Sequence, residues 1–229
     1  YFRAKLAMLM GVASDALITR RRLLERVMNK GLLPALSFGS DSVSSDSMPL
    51  VMNLVGLDEA LFGLSKEATP AARADLASKV LQTASQSAAE KSGKGERLGI
   101  ALIEEEGAAR LSALDSERYG RANLQSLEKR GYSQAARLTM EDLGNAATMN
   151  YITKVGQAAT GGLSVFLDAS SLDLRGIYNL AANASPKLEF FGIDRQVSFC
   201  RNCGSKLPPK TERCNKCRST ATAQYSTAE

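Results

Sequence analysis

Four cysteines in two C-x-x-C pairs, Cys200-Arg201-Asn202-Cys203 and Cys214-Asn215-Lys216-Cys217, constrain the local fold of this chain more than any other feature. Each pair bends the backbone so that two thiolates converge, and two pairs complete a tetrahedral shell of four sulfurs. Gly204 follows the first pair and supplies the left-handed backbone that such turns often need. All four cysteines are consumed and the chain has no histidine. The spacing therefore predicts a closed four-cysteine zinc site, structural rather than catalytic, since no coordination position remains for water or substrate. Two disulfides, a redox-active pair or an iron centre of the same geometry are the alternatives that these thiols leave open. The lack of histidine also excludes Ser/His/Asp and Cys/His catalysis within the chain, and leaves proton transfer to carboxylates, lysine, tyrosine or cysteine.

The 229 residues are enough to bury a sizeable core, as one large domain or as one domain with a small module. No apolar stretch approaches the roughly 20 residues of a membrane span, and no signal peptide is evident, so a cytoplasmic location is expected. The formal net charge of +5 is unevenly placed. Residues 1–30 sum to +5 and residues 195–218 to +6, so the remainder sums to −6. Such basic patches suit either a solvated surface or phosphate on a nucleotide or nucleic acid. Within 195–218 the only ring is Phe199, a poor stacking surface for bases, and nucleic acid is not the expected partner.

Phe2, Leu6, Leu9, Ala13, Leu17, Leu24 and Val27 recur at helical spacing, and Gly31 with Pro34 supplies the stop. A continuous helix of that length spans roughly 45 Å, which suits the outer layer of a large α/β protein. Ser40–Ser47 reads as a loop. Val51–Leu57 reads as a short strand with a turn at Gly56, followed by a helix from Asp58. Thr69-Pro70 has the form of a helix cap followed by proline, opening a helix with Leu76, Val80, Leu81, Ala84 and Ala88 inward. Leu98–Ile103 reads as a buried strand, and the next helix carries Leu111 and Leu114 to its end near Gly120. Residues 121–150 are helical in composition. Gly161-Gly162 precedes a strand, the wrong order for a phosphate-binding fingerprint, and reads as a turn or a close backbone approach. Leu172–Ala182 reads as a helix. Alternating strands and helices give an α/β class. Glu104-Glu105-Glu106 and Arg20-Arg21-Arg22 read as solvated, and the methionines as core filler.

Several stretches in this order resemble the C-terminal portion of anaerobic, class III ribonucleoside-triphosphate reductases, a glycyl-radical enzyme family. LITRRRLLERVMNKGLLPAL (residues 17–36) resembles that family's long helix and its Gly-Leu-x-Pro turn. LVGLDEALFG (54–63) resembles its V-G-L/M-N-E-A segment, and EEGAARLSALDSERYG (105–120) the stretch after its T-P-A-E-G motif. TGGLSVFLDA (160–169) resembles its Gly-Gly-then-strand segment, and the cysteine pairs its zinc module.

The resemblance implies part of a ten-stranded α/β barrel, helix-rich, over residues 1–194, with a small zinc ribbon at 195–218. Residues 219–229 would lead to the position of the glycyl-radical loop. It also implies a cytoplasmic oxidoreductase that makes deoxyribonucleotides for DNA replication, in most members as a homodimer. Its substrates are ribonucleoside triphosphates, and its activating enzyme uses S-adenosylmethionine and an iron–sulfur cluster. The family passes a radical from a glycine to a loop-tip cysteine. After Cys217 this chain reads RSTATAQYSTAE, without a glycine, and no cysteine lies outside the two pairs. The family's T-P-A-E-G is altered to Leu102-Ile103-Glu104-Glu105-Glu106-Gly107. No catalytic residue is assigned, and the chain by itself is expected to be inactive, as a fragment of a reductase or a non-catalytic relative. A zinc-ribbon scaffold that binds protein or nucleic acid is the alternative.

Overall fold

A computed structural model describes residues 1–33, 48–65, 69–93, 97–104, 107–120, 131–208 and 211–226. The predicted loop at Ser40–Ser47, Pro34, Glu105, Glu106 and Lys210 lie outside the described residues. The chain divides into two compact units, Tyr1–Gln134 with Asn150–Leu163, and Ala135–Met149 with Ser164–Glu229.

In the first unit, helix α1 runs unbroken over Phe2–Asn29, about 42 Å at 1.5 Å per residue. Its buried stripe is Met10, Ser14, Ile18 and Arg21, so Leu9 turns outward, 56% exposed. Apolar spacing alone misses this register because two of the four buried residues are polar. Ser14 satisfies its hydroxyl on the Met10 carbonyl at 2.7 Å, which lets a small side chain pack against its neighbours without a lost hydrogen bond. Arg21 is buried and donates to the Met48 carbonyl, so it does not face solvent as the Arg20–Arg22 run suggests. Gly31, at φ +68°, ends the helix. Its N–H bonds to Met28 O and that of Leu32 to Val27 O, the paired bonds of a Schellman motif.

Helices α2 (Leu57–Leu64) and α3 (Pro70–Lys91) follow. The Thr69 hydroxyl accepts from Ala72 N, as the Thr-Pro signal predicts. Ala74, Ala77, Ala84 and Ala88 of α3 are fully buried, and residues that small bring α1 and α3 close together. Lys91 to Asp15 at 3.2 Å and Arg3 Nε to Thr83 Oγ1 at 3.1 Å tie the pair along its length.

Strands β1 (Leu50–Asn53) and β2 (Leu98–Leu102) pair in parallel. Beyond their last pair, the Asn53 amide accepts from Ile103 N at 2.9 Å and donates to Ile103 O at 2.8 Å. Helix α4 (Gly107–Tyr119) buries Ala108 and Ser112, whereas Leu111 and Leu114 are 45% and 48% exposed. That reverses the face expected from the leucines.

Of the region 121–150 read as helical in composition, residues 121–130 lie outside the described residues, and the rest holds strand β3 (Ala136–Leu138), helix α5 (Met140–Gly144) and the start of helix α6 (Ala146–Ala158). A Thr139/Asp142 capping box opens α5. The strand expected after Gly161-Gly162 is two strands. Strand β4 (Gly162–Leu163) joins the first sheet, in the order β1-β2-β4. Strand β5 (Val165–Asp168) joins a second parallel sheet between β3 and β6 (Gly192–Asp194). Ser164 separates them, and its carbonyl accepts from Ala136 N at 3.0 Å. Helix α7 (Leu174–Ala184) between β5 and β6 is capped by Asp173. Every pairing in both sheets is parallel. The architecture is mixed α/β and helix-rich, with small sheets. Among the described residues no helix is long and apolar enough to cross a membrane.

The third sheet is antiparallel, with β7 (Gln196–Cys200) between β8 (Lys206–Leu207) and β9 (Thr222–Ser226). Strand β9, in the segment that the resemblance reads as leading to the radical loop, pairs with all of β7.

Candidate metal centre

The cysteine pairs are carried on two turns that are built alike. In the first, Cys200 N donates to Ser205 O at 2.9 Å and Gly204 N to Cys200 O at 2.9 Å. In the second, Cys214 N donates to Ser219 O at 2.8 Å and Arg218 N to Cys214 O at 2.9 Å. The fifth residue of each turn has positive φ, +69° at Gly204 and +59° at Arg218. A glycine adopts that backbone freely; an arginine does so at a cost of about 1 kcal/mol. The second turn thus repeats the first without its glycine, which is why sequence inspection marks Gly204 and passes over Arg218.

The turns bring the four Sγ atoms within 4.8 Å of one another. Cys200 Sγ lies 3.4 Å from Cys217 Sγ, and Cys203 Sγ 3.7 Å from Cys214 Sγ. A tetrahedron of zinc–sulfur bonds, each about 2.3 Å, separates its sulfurs by about 3.8 Å. The donor set therefore fits a metal of that size, and the cysteines are free thiols rather than disulfides. The N–H groups of Lys216 and Cys217 both approach Cys214 Sγ at 3.4 Å, the kind of donor that stabilises a thiolate. Cys200 and Cys214 are each 1% exposed and pack with Leu207 in a small cluster of their own.

The four thiols are not electrostatically alike. Burial pushes Cys200 up to about 11. Hydrogen bonds from the Ser205 hydroxyl and backbone draw Cys203 down to about 6. Cys217 is also lowered, chiefly by the Ser219 backbone N–H. Hydrogen bonds thus favour the thiolate at Cys203 and Cys217, whereas burial opposes it at Cys200.

A second polar cluster, which sequence reading misses, sits beyond the carboxyl end of β1. Gly56, at φ +80°, turns the chain into α2 and leaves its first N–H groups open. Ser133, 75 residues from Asp58, closes them: its hydroxyl accepts from Asp58 N at 3.1 Å. It also donates to Glu59 Oε2 at 2.6 Å, and Ser133 N bonds to the same carboxylate. This is a capping box whose cap comes from a distant segment. Beside it Tyr132 donates to Asp115 at 2.6 Å, and Tyr151 to Asp58 at 2.7 Å. Burial and the Asp115 carboxylate push the Tyr132 phenol up to about 12. Burial and the Asp58 charge carry Tyr151 further still. Nothing local in the sequence links these residues.

Other expected features are placed as follows. Gly161 is a close approach: a Cβ at Gly99 would lie 2.9 Å from its Cα. Lys206 and Arg213 are exposed on the cysteine module, and Glu104 is exposed at the end of β2. Met10 and Met52 are core, but Met8 and Met140 are 54% and 39% exposed.

The family model of anaerobic ribonucleoside-triphosphate reductase matches residues 1–227. A solved structure described as an anaerobic ribonucleotide reductase superposes with a TM-score of 0.69 at 18% identity, which establishes likeness of fold. The alignment covers 98% of this chain and 36% of that one, so the chain spans about a third of its relative's length. No curated protein matches in sequence.

Proposed function

Because the chain belongs to the anaerobic ribonucleoside-triphosphate reductase family, we propose that it supplies the scaffold and a structural zinc module to reduction of ribonucleoside triphosphates. The observation that carries this reading is the family match over residues 1–227, which ends on a four-thiol cluster of tetrahedral dimensions. Cys200, Cys203, Cys214 and Cys217 would hold zinc. A closed tetrathiolate site contributes folding energy to the turns that form it and leaves no open position for substrate.

In this reading residues 1–194 form part of a ten-stranded α/β barrel, 195–218 the ribbon, and 219–229 the approach to the radical loop. The wholly parallel pairing of the first two sheets supports it, as does the pairing of β9 with β7. All four cysteines lie in the metal cluster, so none of these 229 residues offers a thiol for radical transfer to substrate. We therefore assign no catalytic residue here, and the chain alone is inactive. Activation by an S-adenosylmethionine-dependent, iron–sulfur activase and dimerisation belong to the complete reductase.

The test is anaerobic turnover by the complete reading frame in which these residues lie. With activase, S-adenosylmethionine and ribonucleoside triphosphates it should form deoxyribonucleotides, and the 229-residue chain should form none. Turnover by the short chain, or none by the complete protein with its metal in place, would refute the assignment.

A further inference from the structure

Strand β7 divides the cysteine module into two unlike faces. Ser198, Cys200 and Leu207 point inward, 0%, 1% and 4% exposed. On the other face Phe199 stands opposite Lys206 of β8 and Ala223 of β9, while Val197 stands opposite Tyr225. Phe199 and Tyr225 are diagonal neighbours with ring centroids 6.3 Å apart, and they remain 39% and 57% exposed. The sequence-based view that the module has one ring counted only residues 195–218; β9 brings in the second from outside that span.

The module that carries the rings is cationic, and Lys206 stands opposite Phe199. Arg201, Lys206, Arg213, Lys216 and Arg218 are all exposed, and Glu212 is the only acid in residues 195–218. Four thiolates around one divalent ion subtract two charges from the +6 of that span and leave it at +4. Exposed aromatic rings on a strand pair, with Lys206 opposite Phe199 and a module of net positive charge, suit a ligand with planar bases on a polyanionic backbone.

We propose that this face of the module binds single-stranded nucleic acid, one base on Phe199 and the next on Tyr225, with Lys206 and the neighbouring arginines on the phosphates. The ring spacing of 6.3 Å favours a single strand. It is about twice the roughly 3.4 Å between successive charges of a duplex strand, so bases lying on both rings must be unstacked from each other. The site goes beyond reductase chemistry and does not depend on it.

The test is fluorescence anisotropy of a labelled twelve-nucleotide oligothymidylate with the zinc-loaded full chain at low salt. Micromolar binding is expected, weakening steeply with added salt. Phe199→Leu and Tyr225→Leu keep an apolar side chain on the sheet but remove the π face. Each should weaken binding about tenfold, the equivalent of about 1.4 kcal/mol for the loss of one stacked base, with bound zinc unchanged. Lys206→Gln should reduce the salt dependence. The proposal is overturned by no binding at low salt, by equal affinity for duplex, by leucine variants that bind as well as the parent, or by binding of ATP without the oligomer.

Discussion

Gly99 and Gly161 meet backbone to backbone, and Gly99→Ala tests whether that contact holds the first sheet together. A Cβ built on Gly99 lies 2.9 Å from Gly161 Cα and 3.2 Å from Gly161 N. Both atoms are main chain, so no side-chain rotation relieves the clash; β2 and the turn before β4 must separate by several tenths of an ångström. That separation strains Gly161 N to Ile100 O at 2.7 Å and Ile100 N to the Thr160 hydroxyl at 3.1 Å. Overpacking of this kind costs about 1–3 kcal/mol, and a weakened buried backbone hydrogen bond adds about 1 kcal/mol. A loss of about 3 kcal/mol corresponds to roughly 6–12 °C in a chain of this size. Gly63→Ala is the control. Gly63 lies in α2 with nothing within 4 Å of its Cβ position, so alanine should stabilise by up to about 1 kcal/mol. Urea and thermal unfolding of both variants, followed by far-ultraviolet circular dichroism, give the comparison. Should Gly99→Ala unfold like the parent, or shift no more than Gly63→Ala, the close contact has no energetic weight.

Three further outcomes follow from the same geometry. Ser133→Ala removes the distant cap of α2 and should cost about 1–2 kcal/mol in urea melts, whereas a loss below about 0.3 kcal/mol would mean that water replaces the cap. Ultraviolet titration at 295 nm should find Tyr132 ionising near 12 and Tyr151 later still, rather than near 10. Both phenols are raised in the fold, so their contribution to stability is complete below about pH 10; that of Tyr132 is lost as pH rises through 12 and that of Tyr151 at higher pH; six tyrosines titrating together near 10 would contradict the buried bonds to Asp115 and Asp58. Arg218→Gly relieves the positive φ of the second cysteine turn and should slow zinc loss to a competing chelator up to about fivefold, the equivalent of about 1 kcal/mol; faster loss would show that the side chain itself holds the turn.

What the sequence discloses is what its chemistry states locally. The Thr69-Pro70 cap, the Gly31 stop, the turn at Gly56 and the cysteine pairs are each encoded within a few residues, and each is in place. What it conceals depends on partners far along the chain. Arg21 looks solvated because its acceptor, the Met48 carbonyl, is 27 residues away. The α1 register is displaced because Ser14 satisfies itself on its own helix and then packs as a small residue. Leu163–Leu167 looks like one strand because nothing in its composition shows that Ser164 hands the chain from one sheet to another. The Ser133–Glu59 clasp and the Phe199–Tyr225 face are invisible for the same reason, since register and loop closure place them and local pattern does not.

In the proposed function Cys200, Cys203, Cys214 and Cys217 would hold zinc in a closed site. Metal analysis with zinc-edge X-ray absorption on the purified chain tests it most directly. One zinc per chain with four sulfurs at about 2.3 Å is the predicted result; a chain without metal, or a spectrum showing oxygen or nitrogen in the first shell, would contradict it.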